Sequence, residues 1–184
     1  MTANGLMFFA GLAGWRLAHS TALLADAFDM LADATGYAVA FWAVGGHVGR
    51  QRVAARWSSL LLMALGLAVL AEVLHRWFVP ERPEGGWIAA FAGLSLLVNG
   101  LVLATLAIYR DSDQLHLRAA WVDTRADVLV NAGVLLSGVL VALLGYRLID
   151  LAAGAAVAAF VLHEGWELWE ASSATPPHGR QRAP

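Results

Sequence analysis

Six apolar runs divide the chain, and each is long enough for a helix that crosses a bilayer, which takes about 20 residues. We place these helices at residues 2–18, 20–45, 57–76, 86–109, 117–144 and 147–169. The breaks between them carry turn residues or charge, as in GGHVGRQR, VPERPEGG and RDSDQ. The sequence therefore predicts an all-α fold, a polytopic membrane protein built as a bundle of six transmembrane helices.

The composition supports this class, because 59% of the 184 residues are hydrophobic, 14% are charged and the mean hydropathy is +0.62. A net charge of -2 indicates no nucleic-acid partner. The absence of cysteine excludes disulfides and thiolate metal sites. We expect one membrane domain over residues 1–172, followed by a disordered cytoplasmic tail over residues 173–184 that is rich in proline and polar residues.

The arginines of the loops predict the orientation of the bundle, because cytoplasmic loops carry more basic residues than the opposite side. Six spans put both termini on one side, with seven arginines against four: Arg50, Arg52, Arg56, Arg110, Arg118, Arg180 and Arg182 against Arg16, Arg76, Arg82 and Arg147. Both termini are therefore predicted to be cytoplasmic. The expected location is a bacterial inner (plasma) membrane.

The second predicted helix contains three acids within the apolar stretch ALLADAFDMLADATGYAVAFW: Asp26, Asp29 and Asp33. A carboxylate at the centre of a membrane helix costs about 2.5–3.5 kcal/mol on insertion scales, so these acids need a compensating function. The fifth helix contains Asp123 and Asp127, which repeat the four-residue spacing of Asp29 and Asp33. Residues four apart share a helix face, so each helix presents a pair of carboxylates.

Two such pairs on adjacent antiparallel helices would place four carboxylates in one small volume. Like charges share a low-dielectric volume only when cations or protons neutralise them. The residues themselves therefore favour a divalent metal ion bound by Asp29, Asp33, Asp123 and Asp127. Arg125 is the one arginine inside a predicted span and away from its ends, and it cannot balance four acids.

The segments STALLADAFDMLADATGYAVA and LRAAWVDTRADVLVNAGVLL resemble the helix-two and helix-five signatures of the cation diffusion facilitator family of metal transporters. In that family a DxxxD or HxxxD pair on each helix forms the transport site, and exported metal is commonly exchanged for protons. The resemblance covers most of residues 1–172 and includes Asn99 in helix four. It implies a metal-efflux antiporter, not an enzyme, with divalent metal ions and protons as partners, no cofactor, and Asp29, Asp33, Asp123 and Asp127 as metal ligands.

The sequence also departs from the family pattern in two ways. The family typically continues into a soluble cytoplasmic domain, whereas this sequence ends about fifteen residues after helix six and looks like a short form. Zinc exporters usually include a histidine among the four ligands, whereas all four are aspartate here, which shifts preference toward Mn²⁺ or Fe²⁺ and leaves Zn²⁺ and Co²⁺ as candidates. A homodimer is expected, held by membrane packing around Gly66 of helix three.

Several residues keep two interpretations. Asp26 is suited to capping, to supporting the site or to binding the ion directly, and Asn131 either orients Asp127 or contacts another helix. Arg125 is expected to pair with Glu72 or Glu164 or to reach the membrane surface. His47 and His116 are either solvated loop residues or part of a cytoplasmic metal site. These roles stay open at this stage.

One alternative function belongs to a different class, an intramembrane metal-dependent enzyme with a buried carboxylate site. The GxGD stretch of intramembrane aspartyl proteases is absent from the sequence. The DG, AR, G and DxxxD series of CDP-alcohol phosphotransferases is absent as well. The sequence therefore favours a transporter over these enzymes.

Overall fold

The computed structural model of the protein describes residues 2–43, 48–110 and 115–173. Side chains at positions 37, 39–43, 48, 50, 51, 109, 115–120, 122 and 123 lie outside the description. The described chain forms six α-helices, one 3-10 turn at Ala107–Tyr109 and no strand: α1 (Thr2–Ala18), α2 (Thr21–Ala43), α3 (Val48–Phe78), α4 (Gly85–Leu106), α5 (Leu115–Leu144) and α6 (Arg147–Ser173). The all-α prediction is confirmed. The predicted tail lies, apart from Ser173, outside the described residues.

Four segments of the described chain are both long and apolar enough to cross a membrane: Arg52–Phe78, Gly85–Leu106, Thr124–Leu144 and Arg147–Ser173. Helix α1 has only 17 residues, and α2 carries the three aspartates. Helix α3 begins at Val48, nine residues before the predicted start at residue 57. The polar segment GRQRVAAR consists mostly of good helix formers, so the helix extends beyond the apolar run.

Helix α2 is the central helix, because it contacts each of the five other helices. Its buried apolar residues are small or flexible: Ala22, Leu23, Leu24, Ala25, Ala27 and Met30. A short side chain lets neighbouring backbones approach, which drives helix association in lipid. Many large apolar side chains elsewhere are exposed, including Leu67, Leu97, Leu101 and Leu136, as expected for a surface that faces lipid.

The start of α2 is held by two side chains. Ser20 caps the helix, since its Oγ accepts a hydrogen bond from the Leu23 backbone N–H at 3.1 Å. Asp150, in the first turn of α6, accepts bonds from the Thr21 backbone N–H at 2.7 Å and the Thr21 hydroxyl at 2.8 Å. It also accepts bonds from the Ser20 hydroxyl and from the Ala22 backbone N–H. Asp150 therefore joins the starts of α2 and α6, and we call this side of the bundle the Asp150 end.

Other contacts at the Asp150 end connect the remaining helices. Arg76 of α3 pairs with Glu72 at 2.6 Å and with Glu81 at 3.4 Å, and Glu81 also contacts His19 at 3.0 Å. Arg147, the first residue of α6, donates a hydrogen bond to the Arg76 carbonyl at 2.8 Å. These bonds fix the depth of α1, α3 and α6 relative to one another.

Glycines set the register of the two most extensive helix pairs, α4 with α5 and α3 with α6. A Cβ on Gly138 of α5 would lie 2.7 Å from the Ile88 Cγ2 atom of α4, so this position tolerates only glycine without a shift. A Cβ on Gly66 of α3 would lie 2.7 Å from Leu162 Cγ of α6. Gly66 thus packs inside the chain, and the expectation that it contributes to a dimer interface was wrong for this residue.

Candidate metal site

The three acids of α2 lie along one face of the helix at spacings of three and four residues. Asp26 and Asp29 are buried, and Asp33 is half-buried one turn further from the Asp150 end. Because α2 is central, this face points into the bundle and not toward lipid. Asp26 and Asp29 therefore lie in the interior of the bundle.

Asp127 of α5 is also buried and belongs to the same electrostatic cluster. Its carboxylate acts on Asp29 by Coulomb repulsion, as do those of Asp33 and Asp26. Helices α2 and α5 are in contact, so three carboxylates of α2 and one of α5 share a region of low dielectric. The side chain of Asp123 lies outside the described residues, and its place in the cluster stays a prediction.

Hydrogen bonds from other helices orient two of the acids. The Asn4 side-chain amide of α1 donates to Asp33 Oδ2 at 2.9 Å. The Ser95 hydroxyl of α4 donates to Asp26 Oδ2 at 2.8 Å. Each bond spans two helices and limits the rotamers of a carboxylate, which is how supporting residues orient metal ligands.

The Oδ2 atom of Asp29 is buried and has no hydrogen-bond partner in the described part of the chain. A buried carboxylate oxygen without a partner loses its hydration and gains nothing in return. Within the described residues, which exclude the Asp123 side chain, no three His, Cys, Asp or Glu side chains form a group that could hold a metal ion. The described acids therefore approach one another without enclosing an ion by themselves.

Helix α6 adds an acid that the sequence interpretation considered only as a partner of Arg125. Glu164 also acts on Asp29 by Coulomb repulsion. Helices α2 and α6 run parallel and touch where Thr21 of α2 meets Gly154 of α6. A Cβ on Gly154 would lie 2.7 Å from the Thr21 hydroxyl oxygen. Glu164 is ten residues after Gly154 and Asp33 is twelve after Thr21, so the two acids lie at nearly the same depth.

Three contributors to the cluster were thus missed by sequence reasoning: Asn4, Ser95 and Glu164. Asn4 and Ser95 are isolated polar residues in apolar helices, and that is the only signal that the sequence offers for them. Glu164 follows His163 in the more polar end of α6, so the sequence gives no signal that distinguishes it. Arg125, by contrast, is exposed, and its guanidinium lies 5.7 Å from the centre of the Trp121 ring. Glu72 is bonded to Arg76 instead. His47 and the His116 side chain lie outside the described residues.

A helical membrane bundle with several acids on its central helix is typical of proteins that bind or move cations across membranes. The comparison with known families agrees with this class. Residues 1–174 match the cation efflux transmembrane domain. The protein therefore belongs to the cation efflux family and is an integral membrane protein, which confirms the resemblance to cation diffusion facilitators.

Individual relatives are similar at a low level of identity. The chain is 24% identical over 184 residues to the metal cation efflux system protein CzcD of Cupriavidus metallidurans. It is 26% identical over 178 residues to the zinc transporter ZitB of Yersinia pestis and, over the same length, to the cadmium, cobalt and zinc/H(+)-K(+) antiporter of Bacillus subtilis. The alignments cover 94%, 90% and 90% of this chain but only 58%, 57% and 57% of the three relatives. The chain thus spans less than two thirds of their length.

Proposed function

We propose that the protein exports a divalent transition-metal ion across the membrane through a site formed by Asp29, Asp33, Asp123 and Asp127. The observation that carries this proposal is the Asp29 carboxylate, which is buried and repelled by Asp33 and Asp127, and one of whose oxygens has no hydrogen bond to any described residue. A structural acid would be paired, whereas an acid that binds a cation transiently keeps an oxygen available. A divalent ion would remove the repulsion and replace the missing partner.

Protons are the proposed counter-ions. When the divalent ion leaves, the clustered carboxylates repel one another, and protons neutralise them at the lowest cost in desolvation. Metal and protons then compete for the same oxygens, so metal binding releases protons and weakens as the pH falls. The name of the Bacillus subtilis relative, a cadmium, cobalt and zinc/H(+)-K(+) antiporter, supports exchange with protons in this chain.

The choice of metal follows from the ligands. Four carboxylates offer only oxygen, which favours Mn²⁺ or Fe²⁺ more than a mixed nitrogen and oxygen site would. Zn²⁺ and Co²⁺ remain substrates to test, because zinc binds carboxylates well and the relatives are named for zinc, cobalt and cadmium. Competition among these ions on purified protein measures the order of preference directly.

The orientation and assembly belong to the same proposal. The Asp150 end faces away from the cytoplasm, since both termini lie at the opposite side with the larger number of arginines. The protein acts as a homodimer that buries the exposed apolar residues of α3: Trp57, Leu60, Leu67 and Leu74. The mass of the protein in several mild detergents tests the dimer, and a monomer with full transport would contradict it.

The test of function is metal flux into proteoliposomes with an imposed pH gradient. Transport should require no organic substrate, should increase when protons flow against the metal, and should be lost in Asp127→Asn. Glu167→Gln is the matched control, because Glu167 is an exposed acid of α6 that pairs with His163 at 3.2 Å. Flux that ignores the gradient would refute proton exchange, and undiminished flux in Asp127→Asn would refute the site.

A further inference from the structure

A second group of buried polar atoms lies one turn from Asp29 toward the Asp150 end. Asp26 is only 1% exposed, and its Oδ1 has no hydrogen-bond partner among the described residues. Its other oxygen accepts the bond from Ser95. In the described part of the chain, no arginine or histidine pairs with Asp26. A buried carboxylate with a single neutral donor is strongly destabilised unless a cation or a proton joins it.

Asn131 of α5 lacks even more hydrogen bonds than Asp26. The side chain is 0% exposed, and neither Oδ1 nor Nδ2 has a hydrogen-bond partner within the described ranges. Burying an amide without hydrogen bonds costs about 1–3 kcal/mol by protein mutational data, so packing between helices does not account for it. An amide oxygen that is buried and unpartnered is available as a neutral ligand.

The register of α4 and α5 brings these groups to one level. The two helices are antiparallel and touch where Ile88 meets Gly138. Ser95 is seven residues after Ile88, and Asn131 is seven residues before Gly138, so both lie about two turns from that contact. All four residues belong to the buried faces of their helices. Asn131 therefore lies near the level of the Ser95 hydroxyl, which bonds to Asp26, in the region where α2, α4 and α5 contact one another.

The donors available at this junction are all oxygen atoms: Oδ1 of Asp26, the hydroxyl oxygen of Ser95, which keeps a lone pair while it donates to Asp26, and Oδ1 of Asn131. Oxygen-only sites select hard cations. The junction itself supplies one carboxylate and two neutral ligands, so its own charge matches that of a monovalent ion.

We propose that Asp26, Ser95 and Asn131 form a binding site for an alkali cation, Na⁺ or K⁺, separate from the proposed site for the divalent metal. The ion replaces the partners that Asp26 Oδ1 and Asn131 Oδ1 lack. Sodium and potassium share this chemistry, and the experiment distinguishes them. The site does not depend on the proposed transport function, because its binding is measured without divalent metal.

The test is equilibrium binding of ²²Na⁺ and of ⁸⁶Rb⁺, a tracer for K⁺, to the purified full-length protein. Chelator removes divalent metal, and choline chloride keeps the ionic strength constant. We expect saturable binding of one ion per chain, displaced by an excess of the unlabelled alkali ion. Asn131→Ala and Ser95→Ala should weaken binding by at least about tenfold, as the loss of a neutral ligand does at metal sites, and Asp26→Asn should abolish it.

Ser137→Ala is the matched control, because Ser137 is a buried serine of α5 whose one hydrogen bond to the described residues goes to the Val134 carbonyl in its own helix, at 2.7 Å. Its alkali binding should equal that of the wild type. Thermal unfolding in choline shows which variants are folded. If Asp26→Asn or Asn131→Ala fails to fold, Ser95→Ala still tests the site, because it removes only one hydroxyl. The absence of saturable binding, equal binding in Ser95→Ala and Ser137→Ala, or displacement by Mn²⁺ at lower concentration than by Na⁺ or K⁺ would each overturn the proposal.

Discussion

Asp150 and Asp29 are both buried acids of the same apolar bundle, with exposed fractions of 2% and 6%, but their surroundings differ. Both oxygens of Asp150 accept hydrogen bonds, from Ser20, Thr21 and the Ala22 backbone. Among the residues that the structure describes, one oxygen of Asp29 has no hydrogen-bond partner, and four other acids repel this carboxylate. Burial alone therefore does not identify a functional acid. The number of satisfied oxygens separates an acid that holds helices together from one that is available to a ligand.

The largest expected effect comes from removing the charge of Asp29. Asp29→Asn should reduce metal flux by more than about 100-fold, beyond the loss produced when a residue only orients a ligand. The same substitution removes the repulsion from neighbouring acids, so the thermal unfolding temperature should stay equal or rise. Metal flux in proteoliposomes measures the loss of transport, and thermal unfolding in detergent measures the stability. If Asp29→Asn had normal flux, or unfolded at a much lower temperature, Asp29 would not differ from Asp150 in the way that we propose.

Asp150→Ala should have the opposite profile. The starts of α2 and α6 lose their shared acceptor, and the buried hydroxyl and N–H groups at Ser20 and Thr21 lose partners. We expect the free energy of unfolding to fall by about 2–4 kcal/mol, combining a lost helix cap with unsatisfied buried donors. Flux per folded molecule should change little. Unfolding curves combined with flux normalised to folded protein check this, and a loss of flux without a loss of stability would contradict it.

Asn4→Ala tests whether a bond between helices orients a ligand. Without the 2.9 Å bond, Asp33 samples more rotamers, and the affinity for metal should fall about tenfold while the protein stays folded. Thr35→Ala is the control, because its hydroxyl donates a hydrogen bond to the Leu31 carbonyl in the same helix and, within the described residues, to no other helix. Metal titration of both purified variants supplies the comparison. Equal affinities would mean that the Asn4 bond is only structural.

Glu164→Gln is expected to have the smallest effect. Glu164 acts on Asp29 at a distance and is exposed, so solvent screens much of its field. Its removal should weaken metal binding by a few fold at low salt, with a smaller effect at high salt. Glu167→Gln, one turn further along α6, should have no effect under either condition. Equal responses of the two variants would show that Glu164 has no special relation to the site.

The sequence by itself determined the class of the protein and its strongest candidates for metal binding. Apolar runs require helices in a membrane, because a bilayer leaves no other partner for the backbone. A four-residue spacing puts Asp29 with Asp33, and Asp123 with Asp127, on one face of a helix, since this geometry is local. The helix bounds were less accurate, and α3 extends nine residues before its apolar run.

Only the tertiary structure decided which distant residues meet. Asn4 reaches Asp33, Ser95 reaches Asp26, and Glu164 lies level with Asp33, although neither spacing nor composition marks these residues. The structure also shows that Gly66 of α3 packs against α6. The physical reason is that helix periodicity is fixed by local hydrogen bonds. The register between helices depends instead on a few close contacts, such as Gly138 against Ile88 and Asp150 against the start of α2.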